Sequence, residues 1–459
     1  MSLSKSMTSG PALRQIVGFA IPIMLGGLFQ LIYSIVDSAV VGRLIGVEAF
    51  AAVGAAGNLN WMVFSIVLGL TQGFGTVIAQ HFGAGQHQTV RRSFAMSLLL
   101  SLGLGLILSV VTVLLSDPVL RLLQTPDEIF ADASAYIRVI FGGLFITFLY
   151  NNLGASLRAV GNSRTPFYAL VLSSILNVVL DILLVSVTPW GVAAAAIATV
   201  FSQAVSCVYC LYFVGRIEVL RVKKDDFVPD RKMLLAHVRM GGPMGFRNFV
   251  TACGGTITQF YVNGYGTEFI AAIAATKRMY SVLELVSTGM DGAIATYVAQ
   301  NYGARKMDRI RSGLRKSAVV LLLGAGAIMA VMFPFGRNIM GLLISGDPAQ
   351  LDRVLTIACE QLNLMLAFLP FLYLLYLFRS SLQGMDNALF PMLSGFIELG
   401  TRLAIVFTMT GVVGRWGIYL CEAVPWLTAM IFLSITFTIV YRKRCKESVG
   451  GDEVSSEIQ

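Results

Sequence analysis

The chain has 459 residues, 56% of them hydrophobic and 13% charged, with a mean hydropathy of +0.75. That balance excludes a soluble globular domain and indicates an integral membrane protein. The formal net charge of +9 does not imply a nucleic-acid partner, because lysine and arginine accumulate in the cytoplasmic loops of membrane proteins.

The first apolar run, residues 16–41, is long enough to cross a hydrocarbon core of roughly 30 Å at about 1.5 Å per residue. It is too long for the hydrophobic region of a secretory signal, and no small-residue cleavage site follows, so the N-terminus is expected to stay attached. Within it sits Asp37. A carboxylate inside such a helix is costly and usually marks an ion or substrate pathway; the plainer reading is an interfacial Asp that ends the helix, with Arg43 six residues on.

Eleven more apolar runs follow, at roughly 51–80, 90–116, 132–157, 165–187, 191–217, 236–263, 268–300, 313–336, 353–381, 388–410 and 416–441. All are expected to be helical, because lipid offers no other partner for backbone polar groups. The fold class is therefore all-α integral membrane, with twelve transmembrane helices in two pseudo-symmetric six-helix lobes. A first lobe spans residues 1–217, a cytoplasmic linker 218–235 and a second lobe 236–441. The polar stretch 442–459 is expected to be a disordered cytoplasmic tail.

Charge sets the orientation. Assigned alternately, the loops on one side collect the basic groups at 91–92, 221–239, 305–316 and 442–446, with Arg158, Arg164 and Arg379, whereas the other side holds only Arg43, Arg121, Arg337, Arg353 and Arg415. That asymmetry puts both termini in the cytoplasm.

The two halves also echo each other. TVIAQHFGA at 76–84 returns as TYVAQNYGA at 296–304, and Pro22 pairs with Pro243, Pro166 with Pro391, and Trp190-Gly191 with Trp416-Gly417. Six spans per repeat give a parallel duplication, whose binding sites tend to lie near mid-membrane.

Counting 1.5 Å per residue from each span's end puts Asp37 about 6–8 Å below the outer surface and Asp181 about 9 Å below it. Asn177 is one turn deeper on Asp181's face. Thr199 comes about 12 Å down the sixth span and Ala195 about 6 Å. Asp37, Asn177, Asp181 and Thr199 thus fall in one layer, with no Lys or Arg in the core of the first six spans. Oxygen ligands of this kind suit a hard cation such as Na+, and two close carboxylates disfavour double ionisation, so one can hold a proton instead. The alternative is a polar network that only holds helices together.

The second lobe carries Arg247, Lys277, Arg278, Glu284, Glu398 and Arg402 within apolar runs. Glu398 and Arg402 stand at i, i+4 and can pair, and most of these charges are read as mutually neutralised. Lys277 and Arg278 could instead meet an anionic substrate group. Gln72, Asn151, Asn152, Gln259, Tyr261 and Asn263 could line a pathway. Cys207 and Cys210 form a lone CxxC, a weak metal signal better read as packing; His81, His87 and His237 form no ligand cluster. No catalytic dyad, metal-ligand spacing or selectivity-filter loop points to an enzyme or channel.

Twelve spans in two lobes, YSIVDSAVVG at 33–42, the AQHFGAG and AQNYGAR pair, and RAVGNSRTP at 158–166 together resemble the multidrug and toxic compound extrusion (MATE) family, most closely its DinF-type and MepA-like branches. The resemblance implies an antiporter that exports small, lipophilic, mostly cationic organic compounds in exchange for H+ or Na+ by alternating access. The chain is expected to be a monomer in the lipid bilayer of a bacterial or archaeal cytoplasmic membrane, with no cofactor beyond the coupling ion and no nucleic-acid partner. The resemblance also implies that Asp37, Asn177, Asp181, Ala195 (by its backbone carbonyl) and Thr199 form the coupling site, with Na+ possible at the four side chains. One departure stands out: where the NorM-type branch has a Glu eight residues after the seventh-helix proline, this chain has Thr251. An alternative on the same fold is a flippase for a lipid-linked or anionic amphiphile, suggested by Lys277, Arg278 and Arg402.

Overall fold

The computed structural model describes residues 4–342 and 347–456, with side chains at all of these except 348, 349 and 448–456. Among them there is no strand. The helices are α1 (Ala12–Leu44), α2 (Val47–Gly83), α3 (His87–Leu122), α4 (Asp127–Gly142), α5 (Leu144–Ala159), α6 (Arg164–Val187), α7 (Val192–Gly215), α8 (Arg231–Asn263), α9 (Thr267–Gly303), α10 (Met307–Gly341), α11 (Pro348–Gly384), α12 (Leu389–Val413) and α13 (Arg415–Ser456). Most outrun their apolar cores by about a turn, since a helix can continue into water once lipid has enforced it.

Nine of the described helices are long and apolar enough to span a bilayer alone, and α4 with α5 makes a tenth as a pair bent by 47°. The other two, α8 and α9, are 33 and 37 residues long. They fall short on composition because charges interrupt them: Arg239 and Arg247 in α8, and Lys277, Arg278, Glu284 and Asp291 in α9. With them the described chain has twelve helical units, the expected all-α membrane architecture.

Three stretches differ in detail from plain spans and loops. The span 132–157 is not one helix but α4 and α5, broken at Gly143. The bend leaves the Phe145 N–H to donate to Ser109 Oγ of α3 at 3.1 Å, so the break keeps its hydrogen bonds satisfied without water. In the stretch 218–235, two single 3-10 turns, Glu218–Leu220 and Lys224–Phe227, precede α8. There the Lys223 N–H donates to buried Asp226 at 2.8 Å, and Arg91 of α3 lies 3.5 Å from the same carboxylate. From Arg442 onward the chain continues α13 as far as Ser456, with an Arg444–Glu447 pair at i, i+3. Residues 457–459 lie outside the described chain.

The chain forms two compact units, Met1–Met7 with Ile21–Gly245, and Thr8–Ala20 with Phe246–Gln459. These boundaries fall inside α1 and α8 rather than in the 218–235 stretch. Within the first unit, Val41 of α1, Ala49, Ala52, Ala56 and Leu59 of α2, Ile137 and Phe141 of α4, and Val192, Ala195 and Ala196 of α7 form one core. Alanine at so many of these positions lets helix backbones approach closely, the main source of helix association where lipid removes the hydrophobic drive.

The backbone repeats more clearly than the sequence. Positive φ occurs at Gly46 (134°) and Gly266 (89°), at Gly85 (73°) and Arg305 (57°), at Gly161 (84°) and Asp386 (61°), and at Gly191 (53°) and Gly414 (59°). After the third pair, Asn162 Oδ1 accepts from the Thr165 N–H at 3.0 Å, and Asn387 Oδ1 from the Phe390 N–H at 3.3 Å. These pairs correct one sequence anchor: the counterpart of Gly191 is Gly414, at the start of α13, and not Gly417.

Gly143 is required by proximity. A Cβ there would lie 2.5 Å from both γ-carbons of Val200 on α7, a β-branched side chain with little freedom to yield. Gly143→Ala is therefore expected to lower stability by about 1–3 kcal/mol, read as thermal unfolding in detergent, and Gly143→Ala/Val200→Ala to recover most of it.

Candidate functional site

Four elements of the first unit converge on one polar layer. From α6 come Asn177 and Asp181, at i, i+4 on one face and 2% and 0% exposed. From α7 comes Thr199, one turn beyond buried Ala195. From α1 comes Asp37, with Tyr33 one turn before it, and from α4 comes Tyr136.

The Asn177 amide satisfies every neighbour when its nitrogen donates to Asp181 Oδ2 at 3.0 Å and to Tyr33 Oη at 2.7 Å, while its oxygen accepts from Thr199 Oγ1 at 3.3 Å and the Thr199 N–H at 3.0 Å. The carboxyl groups of Asp37 and Asp181 lie in hydrogen-bonding contact. Such a bond needs a proton on one of them, since two carboxylates offer only acceptors. Asp37 Oδ1 is buried with no hydrogen-bond partner among the described residues. A buried carboxylate oxygen left without a donor is costly, and a proton or an oxygen-seeking cation would complete it.

A cavity of 270 Å³ opens onto the same carboxylate, lined by Ser34 and Ser38 of α1, Gly54 and Gly57 of α2, and Tyr136. The two serines flank Asp37 on its helix, and the two glycines leave room: a Cβ at either would meet nothing within 4 Å. Val41, Phe50 and Val53 complete the lining, so the cavity brings three hydroxyls and an apolar wall to Asp37.

Tyr33 and Tyr136 were not singled out from the sequence. Tyr33 was legible as the residue one turn before Asp37; nothing local marks Tyr136, which only the packing of α4 brings in. Arg138 of α4 lies within the fourth apolar run and departs from the expectation that the core of the first six spans carries no Lys or Arg. It pairs with Asp117 of α3 and is 53% exposed.

The pathway residues separate. Asn152 is fully buried and donates to Ser97 Oγ at 3.1 Å, a contact between α5 and α3. Asn151 donates to the Thr147 carbonyl at 2.8 Å, and Gln72 is half-buried on α2. In the second unit, Lys277 Nζ donates to Gln259 Oε1 at 2.8 Å and Gln259 Nε2 donates to Asn263 Oδ1 at 2.9 Å, so these three form one chain. Tyr261 packs edge-on against Phe260 and Phe407, and Arg278 is exposed.

The expected Glu398–Arg402 pair is not made. Glu398 pairs with Arg379 of α11, and Arg402 with Glu422 of α13 at 3.1 Å; cross-helix partners approach end-on, whereas an i, i+4 pair must bend along its own helix. Arg379, assigned to a loop by alternation, lies inside α11 and is 6% exposed.

The MatE family model matches the chain twice, over residues 22–183 and 243–408. The chain is 28% identical over 342 residues to the probable multidrug resistance protein YpnP of Bacillus subtilis, covering 74% of this chain and 77% of that protein. It is 25% identical over 453 residues to the multidrug export protein MepA of Staphylococcus aureus, covering 97% of each. Among solved structures, one described as MATE in complex with MaL6 superimposes with a TM-score of 0.87 at 22% identity, covering 96% of this chain and 98% of that one. The last likeness shows the fold.

The cavity gives a direct test of access to Asp37. A hydrophobic carbodiimide is expected to label Asp37, as read by mass spectrometry of the purified protein. Labelling should persist in Gly57→Ala and fall to background in Gly57→Leu, whose side chain fills the cavity. A Gly57→Leu protein labelled like its parent would show another route.

Proposed function

Since the chain belongs to the MatE family, we propose that it is a secondary antiporter that exports lipophilic, mostly cationic organic compounds in exchange for H+ or Na+ by alternating access. Its place is a bacterial or archaeal cytoplasmic membrane, with both termini cytoplasmic. The relatives named for multidrug resistance and export support the cargo class. The observation that carries ion coupling is that Asp37, whose Oδ1 is buried without a hydrogen-bond partner, lines a cavity together with Ser34, Ser38 and Tyr136.

The mechanism follows from the charges of the layer. Two carboxylates in one low-dielectric pocket, with no Lys or Arg paired to either among the described residues, repel each other unless a cation sits between them. A proton does this by making one carboxyl the donor to the other. Na+ does it by collecting oxygens from Asp37, Asp181, Asn177 and Thr199, with the Ala195 carbonyl one turn away on α7. Either ion changes what Asp37 bonds to, and so biases α1, whose Pro22 already removes one hydrogen bond from the helix ladder. Arrival of the ion and departure of the drug then favour opposite arrangements of α1, and the exchange is coupled.

A second reading, export or flipping of an anionic or lipid-linked amphiphile, rests on Lys277, whose ammonium meets the neutral amide of Gln259. Arg402 no longer supports it, being matched by Glu422. Under this reading Lys277→Gln and Arg278→Gln damage transport more than Asp37→Asn does.

The test is transport in proteoliposomes, with a fluorescent lipophilic cation driven separately by a pH gradient and by a sodium gradient. One gradient is expected to drive flux in the parent. In Asp37→Asn that flux should fall at least about ten-fold, the effect of losing about 1.4 kcal/mol of ion binding. Flux undiminished in Asp37→Asn would overturn the coupling reading, and flux driven by neither gradient would overturn the cationic cargo.

A further inference from the structure

The second unit repeats the frame of the ion layer with different chemistry. Asp37 lies 15 residues after Pro22, and Thr258 lies 15 after Pro243. Asn177 and Asp181 lie 11 and 15 residues after Pro166; Arg402 and Val406 lie 11 and 15 after Pro391. Thr199 lies eight residues after Gly191, and Glu422 eight after Gly414, two glycines with nearly the same backbone, φ 53° and ψ −131° against φ 59° and ψ −132°. Contacts repeat along with positions. Asn177 to Thr199 joins α6 to α7, and Arg402 to Glu422 joins α12 to α13. Arg402 Nη1 also donates to Thr258 Oγ1 at 3.3 Å, the counterpart of the link from α6 to α1.

The charge differs. The first layer has two carboxylates and no basic group of its own. The second has one carboxylate, Glu422, and one guanidinium, whose Nη1 and Nη2 approach Oε1 and Oε2 at 3.3 and 3.1 Å. Arg402 and Glu422 side chains are 10% and 16% exposed. Val406, in the place of Asp181, is buried beside Ile405 and Cys421. A guanidinium never gives up its proton in a protein, and its planar fork matches a carboxylate. It therefore supplies a fixed positive charge to the oxygens of Glu422 and Thr258.

We propose that the Arg402 guanidinium is a tethered cation, standing in the second unit where the first unit takes its exchangeable ion, so that ion exchange is confined to the Asp37 layer. The inference rests on the reading of that layer as the ion site. It adds that the second layer is an ion site closed by the protein's own side chain, and that removing Arg402 opens it.

The experiment measures cation uptake by the purified full-length protein in detergent, by equilibrium binding of radiolabelled sodium at high pH and by pH-stat proton uptake as the pH is lowered. In the Asp37→Asn background, adding Arg402→Met is expected to raise uptake by one sodium or proton equivalent per chain. Adding Glu422→Gln should remove that gain, and Arg402→Lys, which keeps a tethered cation, should not produce it. No gain in a monodisperse Arg402→Met protein, or a gain that survives Glu422→Gln, overturns the proposal. Should Arg402→Met aggregate, Arg402→Met/Glu422→Leu in the otherwise native chain replaces the pair with apolar side chains. It is expected to keep the parent's cation number, and loss of one equivalent overturns the proposal. Asp37→Asn alone separates the two ideas: if it fails to lower the parent's uptake, the ion-site reading of the first layer falls, whatever Arg402 does.

Discussion

A polar atom inside a bilayer has no water to turn to, so every such atom must find a partner within the protein or be completed by something that arrives. Several charged and backbone groups of this chain obey the first alternative. The break at Gly143 hands its free amide to Ser109, and Arg379 and Arg402 each meet a carboxylate on a neighbouring helix. Asp37 Oδ1 follows the second. Its residue touches Asp181 and lines a cavity, with no lysine or arginine paired to it among the described residues, and the functional reading descends from that unpaired carboxylate.

The two units make the same point by contrast. Equivalent positions on a repeated helical frame carry a carboxylate pair in one and a guanidinium–carboxylate pair in the other. Breaking the second pair from one side would leave a buried charge uncompensated, at a cost of about 3–5 kcal/mol, whereas in the first layer no basic side chain is paired to either carboxylate among the described residues. Under the proposed reading, a frame duplicated in backbone is static in one copy and exchanging in the other, through the identity of four side chains.

Much of this was legible in the sequence because lipid imposes simple rules. Apolar length gave the helices, and counting residues from span ends put Asp37, Asn177, Asp181 and Thr199 in one layer, where the structure brings Asn177 against Asp181, Thr199 and the α1 face that carries Asp37. What escaped depends on which helices are neighbours. Depth and periodicity say nothing about that. Tyr136 enters the site only because α4 packs beside α1, and Glu398 and Arg402 chose partners on α11 and α13 over each other. Counting charges by side grouped Arg379, near the end of the run 353–381, with the loop residues, because a charge at the end of an apolar run reads alike whether it is solvated or paired within. Gly414 was hidden by the more conspicuous Trp416-Gly417, since a positive φ leaves no mark on composition.

The central claim is that Asp37 and Asp181 share one positive charge, a proton or its replacement. Infrared difference spectroscopy on the purified protein, as pH is raised or sodium is added, observes it directly. The account predicts loss of a protonated-carboxyl C=O band with matching gain of carboxylate bands, absent from Asp37→Asn/Asp181→Asn. Spectra without a protonated-carboxyl change under either condition, or the same change in the double variant, would contradict it.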